Sequence, residues 1–329
     1  MSVSLARPGV RRVALPPTAR LLLLAALALL AIAAFMTLDA RGSWDFILPF
    51  RGRKVIALAV VGIAVATSTV LFQAITDNRI LTPSIMGFDA LYLLVQTTLV
   101  FLFGSHWLVT LDPQLRFLGN VAALTLFAGL LFWWLFLRAE RGLYLLLLVG
   151  IIFGVLFRSL TNLLERLIDP TEFAVLQDLA FASFNAVDQT LLATGTLLVG
   201  ATACAAWRMH HELDTLALGR ETAISLGVEY QRAVARILVL VTVLVATSTA
   251  LVGPITFFGL LVAHLAYRTI GSPWYRDILP AAALLAIITL VGGQALLEHV
   301  FAFNTGLSVI VEFVGGATLL VLLLRGDRR

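Results

Sequence analysis

The sequence predicts an all-α polytopic membrane protein with about ten transmembrane helices and an inverted internal repeat relating helices 2–5 to helices 7–10. Three observations carry this. Of the 329 residues, 60% are hydrophobic and only 13% are charged, against about 25% charged and about 45–50% apolar in a soluble domain. Ten apolar runs approach the roughly 20 residues that a helix needs to cross the hydrocarbon core. Residues 65–76 (VATSTVLFQAIT) and 245–256 (VATSTALVGPIT) agree at eight of twelve positions, at an offset of 180. The composition excludes an ordinary cytosolic enzyme, a disordered chain and a disulfide scaffold.

In chain order the runs are 21–38, 55–76, 85–103, 117–137, 143–160, 190–207, 233–252, 254–270, 279–300 and 305–324, within one transmembrane domain over 1–329. The first has a basic start (Arg7, Arg11, Arg12, Arg20) but no clean small-x-small site before the polar turn at Asp39, so it reads as a retained signal-anchor helix. The third opens on Pro83 and Gly87 and the eighth follows Gly253-Pro254 directly; both are candidates for half-helices or re-entrant pieces. Five spans take the chain from helix two to helix seven, so the repeat copies run in opposite directions, an arrangement common in transporters. The alternative is a chance match between two apolar stretches.

Orientation follows from the basic residues. With the N-terminus in the cytoplasm, 16 of the 23 fall in the inside segments 1–20, 77–84, 138–142, 208–236, 268–278 and 325–329, and seven fall outside. Both termini are therefore expected inside. The outer segment 39–54 dissents with Arg41, Arg51, Arg53 and Lys54; the outer segment 158–188 is acidic, with five Asp/Glu against two Arg. The arginines cluster at span ends, which is no nucleic-acid footprint.

Lys54 is the sole lysine, so no Gly-Lys pair and hence no P-loop exists. If ATP is used, another chain hydrolyses it. Cys204 is the single cysteine, which rules out an internal disulfide and a Cys-based metal site. His210 and His211 are adjacent and cannot share a helix face, and His106, His264 and His299 have no ligand partner at i+4. No metal, cofactor or catalytic residue is expected. An intramembrane protease is poorly supported, with no G-x-S-x-G elbow and no aspartate assigned to a span.

Segment 208–236 (RMHHELDTLALGRETAISLGVEYQRAVAR) is too polar to span. Leu213, Leu216, Leu218, Ala223, Leu226 and Val228 supply apolar contacts, and Gly219 and Gly227 break the helices. Two short helices around a glycine turn would present a knob to a cytoplasmic partner; a solvated helical loop is the alternative. Thr67, Ser68 and Thr69, with Thr247, Ser248 and Thr249, would line a polar path, or else return their hydroxyls to their own helix carbonyls. Glu312 lies near the middle of the last span, where a carboxylate is either functional or an inter-helix hydrogen-bond partner. Gln73, Gln96 and Asn120 read as inter-helix contacts, and Trp133-Trp134 with Phe101 and Phe103 as lipid-facing or interfacial residues.

LGRETAISLGV at 218–228 resembles the coupling-helix signature of the iron-siderophore and vitamin B12 type ABC importer permease family (FecCD-like). GPITFFGLLVAHLAYR at 253–268 resembles that family's Gly-Pro-Ile-x-Phe-x-Gly-Leu stretch, and RGRKVIALAVVG at 51–62 its entry to helix two. Gln73 and NRILTPSIMGFDALY at 78–92 follow in register, closest in wording to the catecholate-siderophore branch. Ala263 departs where the family usually has Pro, Arg268 follows His264 at +4 rather than +3, and Gln294, Glu298 and His299 replace the family's Asp and Arg near the end of helix nine. These departures touch the gating of helices eight and nine.

The resemblance implies a permease subunit of an ATP-driven importer of ferric siderophores, multi-pass in the bacterial cytoplasmic (inner) membrane and working by alternating access. It implies cytoplasmic ABC ATPases that push on 213–228 through Leu216, Leu218, Gly219, Arg220, Glu221, Leu226 and Gly227. It implies a second permease, with a heterodimer favoured, and a periplasmic or lipid-anchored siderophore-binding protein, for which 39–54 and 158–188 are candidate docking surfaces. The rival class is an ion-gradient-driven secondary transporter using Glu312 as a proton carrier, which needs no coupling segment. An intramembrane enzyme has no catalytic constellation to support it.

Overall fold

The computed structural model describes residues 15–38, 43–138, 143–180, 182–184, 188–300 and 307–326. Arg7, Arg11, Arg12, Asp39, Arg41, Arg141 and Arg329 lie outside them, as do the side chains of Trp133, Trp134 and His299. The chain order is α1 (Pro17–Thr37), α2 (Trp44–Thr76), a 3-10 turn (Pro83–Met86), α3 (Phe88–Phe103), α4 (Ser105–Thr110), α5 (Pro113–Arg138), α6 (Leu143–Glu165) and α7 (Pro170–Ala180). It continues with α8 (Gln189–Arg208), α9 (His210–Leu216), α10 (Arg220–Ser225), α11 (Tyr230–Val252), α12 (Phe258–Ile270), α13 (Tyr275–Val300) and α14 (Leu307–Gly326). The architecture is all-α among the described residues.

Each of the ten apolar runs falls on one of these helices, and α4, α7, α9 and α10 are short additions. Six helices are long and apolar enough to cross a membrane among the described residues, and α3, α12 and Val309–Thr318 of α14 are shorter apolar helices. α12 has 13 residues, about 20 Å of helix, and cannot span the roughly 30 Å hydrocarbon core unaided. Residues 253–257 before it are non-helical, so the eighth run is an unwound segment feeding a half-helix. The third run is likewise broken, at Gly87.

The segment 39–54, read as an outer loop, is corrected: from Trp44 onward it is the start of α2. Its basic residues misled the reading, and the structure shows where two of them go. Arg51 Nη1 donates to the carbonyls of Phe35 (2.8 Å) and Leu38 (2.7 Å), closing the last turn of α1. Lys54 pairs with Glu298 of α13, both side chains about nine-tenths buried. At the other end of α1, Arg20 Nη1 donates to Thr269 O (3.1 Å) and Ile270 O (2.8 Å), the orphan carbonyls at the C-terminus of α12.

α2 is the central helix, packed on α13, α11, α8 and α12, while α1 lies along α13 with most side chains turned outward. The packing is matched under exchange of the two halves. α2 rests on α13 as α11 rests on α5; α3 meets α6 as α12 meets α14; α12 meets α13 as α3 meets α5. The repeat sequences behave alike inside this frame. Ser68 Oγ donates to Val65 O at 3.0 Å, and Ser248 Oγ donates to Val245 O at 3.0 Å. α2 ends, and α11 begins, beside α9 and α10, so the two copies are antiparallel neighbours.

Gln96 Nε2 donates to Asn120 Oδ1 at 2.8 Å and joins α3 to α5, the inter-helix role expected of both, whereas Gln73, also expected to bridge helices, instead donates its Nε2 to Arg79 O at 2.8 Å in the link that follows its own helix. Phe101 and Phe103 are exposed, as lipid-facing residues are. Asp188 caps α8 by accepting the Thr190 amide at 2.7 Å, and the Thr190 hydrogen bonds hold its carboxyl below the ordinary aspartate range.

Two predictions follow from this packing. Glu298→Leu alone leaves the Lys54 ammonium buried and should destabilise the chain by about 3–5 kcal/mol, whereas Lys54→Met combined with Glu298→Leu should recover most of that. Equal denaturation midpoints for the single and double variants in detergent would contradict it. At Gly87 a Cβ would stand 2.6 Å from Gly154 Cα, and φ is +94°. Gly87→Ala should therefore lower the thermal midpoint on both counts, while Gly119→Ala, where a Cβ meets open space, should not.

Candidate functional site

Two places carry the residues singled out by the sequence: a surface built by α9 and α10, and a crossing where α3 and α12 begin.

The α9–α10 unit has an inner and an outer side. Leu213, Leu216 and Ala223 are buried (0%, 3% and 0% exposed), fixing the two short helices to the bundle. Leu218, Ile224 and Leu226 are exposed at 60%, 51% and 63%. This corrects one expectation: Leu216 anchors the unit internally and has no surface left for a partner. Leu218 and Leu226 do face outward, and Arg220, Glu221 and Gly227 are exposed beside them. Ile224 completes the apolar face and was missed, because a short helix with both apolar and polar flanks gives no periodicity that separates its two sides.

The glycines also have a different reason from close approach. A Cβ at Gly219 or Gly227 would meet nothing within 4 Å, but their φ values are +95° and +86°. Only glycine adopts that conformation without strain, and the turns it makes end α9 and α10. Arg220, Ile224, Val228, Glu229, Tyr230, Gln231 and Arg232 line an open cleft of about 390 Å³ on the same face.

The unit is tied to the helices behind it. Asp214 Oδ1 accepts the Tyr275 amide at 2.8 Å, at the start of α13. Glu212 pairs with Arg236 of α11 at 3.2 Å. Tyr267 of α12 packs against the apolar core that holds Tyr275, and Arg79 lies over the Tyr267 ring at 4.7 Å.

The six hydroxyl residues are brought together, but not on an open path. Thr67, Ser68, Thr69, Thr247, Ser248 and Thr249 are all buried, at 0–4% exposure, in α2 and α11. Ser68, Ser248 and Thr247 return their hydroxyls to their own helices. Thr69 packs against Gly259, where a Cβ would meet its Oγ1 at 2.1 Å. Burial and these bonds favour the own-helix alternative over an open path for Ser68, Thr247 and Ser248.

Glu312 sits elsewhere. It is half-buried on α14, the helix that packs through Gly315 against Phe257, next to Thr256 in the unwound segment. The same Thr256 donates its hydroxyl to Asp89 Oδ2 at 3.0 Å. Asp89 corrects the assignment of no aspartate to a span: it lies in the first turn of α3 and is 5% exposed. The signal was present in the third apolar run but was masked by the strongly apolar residues around it. The described residues contain no group of His, Cys, Asp and Glu fit to hold a metal ion. Among the family departures, Ala263 is fully buried in α12, and Gln294 donates to Glu298 at 2.9 Å, so these positions serve helix contacts.

The chain matches the FecCD transport family over residues 19–325. It is 44% identical to the petrobactin import system permease protein YclO of Bacillus subtilis, over 94% of this chain and 98% of that protein. It is 36% identical to the petrobactin import system permease protein FatC of Bacillus anthracis, over 82% of this chain and 77% of that protein. Its fold is similar to a solved metal-chelate type ABC transporter in an inward-facing conformation, with a TM-score of 0.79 at 21% identity over 94% of this chain and 99% of that one. This chain belongs to the FecCD transport family.

Proposed function

We propose that this chain is the membrane-spanning permease subunit of an ATP-binding-cassette importer for ferric siderophores, with ferric petrobactin as the first substrate to test. The observation that carries the coupling role is the two-sided α9–α10 unit: Leu213, Leu216 and Ala223 hold it to the bundle, and Leu218, Ile224 and Leu226 are presented outward. An importer subunit needs such a face, because the nucleotide is bound and hydrolysed on a separate chain and the work must cross an interface. A carrier driven by an ion gradient would leave this apolar face without an occupant. The petrobactin permeases at 44% and 36% identity support the substrate class.

In this reading the α9–α10 end faces the cytoplasm, in keeping with the arginine excess, and both termini are cytoplasmic. Partner ATPases dock on Leu218, Ile224 and Leu226, with Arg220 and Glu221 at the rim fixing register. ATP is used by the partner, and this chain binds no cofactor of its own. A second permease, different from this one, completes the membrane unit, and a binding protein delivers the chelate at the opposite face. Nucleotide binding shifts the complex between two arrangements because it binds them with different affinity.

Leu218→Asp with Leu226→Asp should weaken co-purification of the ATPase by about 100-fold, since two exposed leucines contribute about 1.5 kcal/mol each when covered. Uptake of labelled ferric petrobactin in proteoliposomes of the full complex should fall with it, while the permease's own melting is unchanged. Wild-type uptake and assembly in this variant would sink the coupling assignment. Uptake of another ferric chelate in place of ferric petrobactin would revise the substrate alone.

A further inference from the structure

α6 is a membrane span with most of its side chains exposed, and helical spacing sorts them into three stripes. Gly150, Gly154, Phe157 and Thr161 are buried, on the side that packs against α3 and the 3-10 turn. Ile152, Leu156, Leu160 and Leu163 form an exposed apolar stripe, as a lipid-facing surface requires. The third stripe is exposed too. It is apolar at Ile151 and Val155, then turns polar with Arg158, Ser159 and Asn162.

Leu160 and Leu163 stand at the same level of the span as Arg158 and Asn162. That level is therefore apolar on one side of the helix and polar on another. A guanidinium facing hydrocarbon is costly, and intramembrane cations face a partner or a water-filled cavity. Arg158 makes no ion pair among the described residues, and neither does Glu165, two turns further on. Ser159 Oγ turns back to Val155 O at 2.9 Å, which leaves Arg158 and Asn162 to carry the chemistry of the stripe. Its depth is also fixed. Arg158 lies one turn past Gly154, and a Cβ at Gly87 would stand 2.6 Å from Gly154 Cα. The stripe thus turns polar beside the break at which α3 begins.

We propose that the Arg158–Ser159–Asn162 face of α6 lines the aqueous path of the cargo, and that Arg158 selects an anionic chelate by donating to its oxygen atoms. Calling the cargo a ferric chelate rests on the importer reading above. Ferric iron wrapped by catecholate or carboxylate oxygens makes an anionic complex, and a guanidinium fork matches paired oxygens of that kind. No covalent bond changes. The rival occupant is the second permease, packed on the same face.

Cys204 is the sole cysteine and is exposed, so Cys204→Ser gives a background for single cysteines. In the full complex in lipid nanodiscs, Asn162→Cys should react with charged, water-borne thiosulfonate reagents, and Leu160→Cys should not. At Asn162→Cys an anionic reagent should outpace a cationic one of the same size by about tenfold, as one charge a helical turn away in water implies. Adding Arg158→Gln should erase that preference. An unreactive Asn162→Cys overturns the proposal, since the second permease then covers the face, and so does equal reaction at Leu160→Cys. A preference that survives Arg158→Gln overturns the role of Arg158. In proteoliposomes of the full complex, Arg158→Gln should lower uptake of ferric petrobactin by about tenfold with assembly unchanged, while Arg158→Lys, which keeps the charge, should retain most of it. Unchanged uptake in Arg158→Gln also overturns the selecting role. A wild-type complex that takes up no ferric petrobactin would count against the substrate reading alone, because the labelling decides the face and its charge without any transport.

Discussion

The constraint on which the structure depends is that a backbone amide or carbonyl in hydrocarbon has no water to bind. Continuous helices satisfy it automatically. This chain breaks two of them, at Gly87 and over 253–257, and each break must be sealed by protein. Gly87 N–H closes onto Ser84 O, and Gly253 N–H onto Thr249 O. The Val252 carbonyl takes the Ser183 amide at 2.8 Å, and the Thr256 hydroxyl goes to Asp89 Oδ2 at 3.0 Å. Sealing requires neighbours at very short range, and glycine supplies it: Gly154 against Gly87, and Gly315 where a Cβ would stand 2.7 Å from Phe257 Cβ. The breaks and the small residues are one feature seen from two sides.

The basic residues show the same economy at the helix ends. α1 offers few buried side chains, yet both of its ends are held. Arg51 takes the carbonyls of its last turn, and Arg20 reaches from its first turn to those of α12. A guanidinium serves here better than an ammonium, because its fork donates to several carbonyls at once. Lys54, the sole lysine, instead meets the carboxylate of Glu298. These uses explain why basic residues occur at the end opposite α9 and α10: Arg51 and Lys54 are consumed inside the chain and add nothing to the surface charge that sets orientation.

The apolar runs made the helices legible, because a long run of Leu, Ala and Val has no other use than to cross or fill. The repeat was legible from five consecutive residues, VATST, and the packing symmetry accords with it. What misled was polarity at helix ends. Arg51, Arg53 and Lys54 looked like a loop, because a sequence does not show that Arg51 will cap α1. Leu216 and Leu218 are two apart and look alike, yet one is buried and the other exposed, a difference set by the turn at Gly219 rather than by composition. The hydroxyl residues promised a path, but a hydroxyl satisfied by its own helix carbonyl leaves no outward trace in sequence. Asp89, Thr256 and Glu312 are 56 or more residues apart along the chain, and only tertiary packing brings them together.

That packing also gives the α9–α10 unit a continuous material connection to the crossing. Asp214 holds the first amide of α13. Tyr275, which carries that amide, lies in the apolar core against which Tyr267 of α12 packs. Arg79 lies on the Tyr267 ring, and its carbonyl is held by Gln73 near the end of α2. Arg79 belongs to the short link that runs from α2 into the 3-10 turn and Gly87. A displacement of α9 therefore cannot stay local: it acts on the start of α13, the end of α12 and the link that positions α3. Both half-helices are reached from the same surface, α12 through its C-terminal end and α3 through the link before it, and both meet again at Thr256. A rigid knob at one end and a broken, sealed crossing at depth are what an interface-driven rocking motion requires, because packed helices switch between discrete arrangements rather than bending gradually.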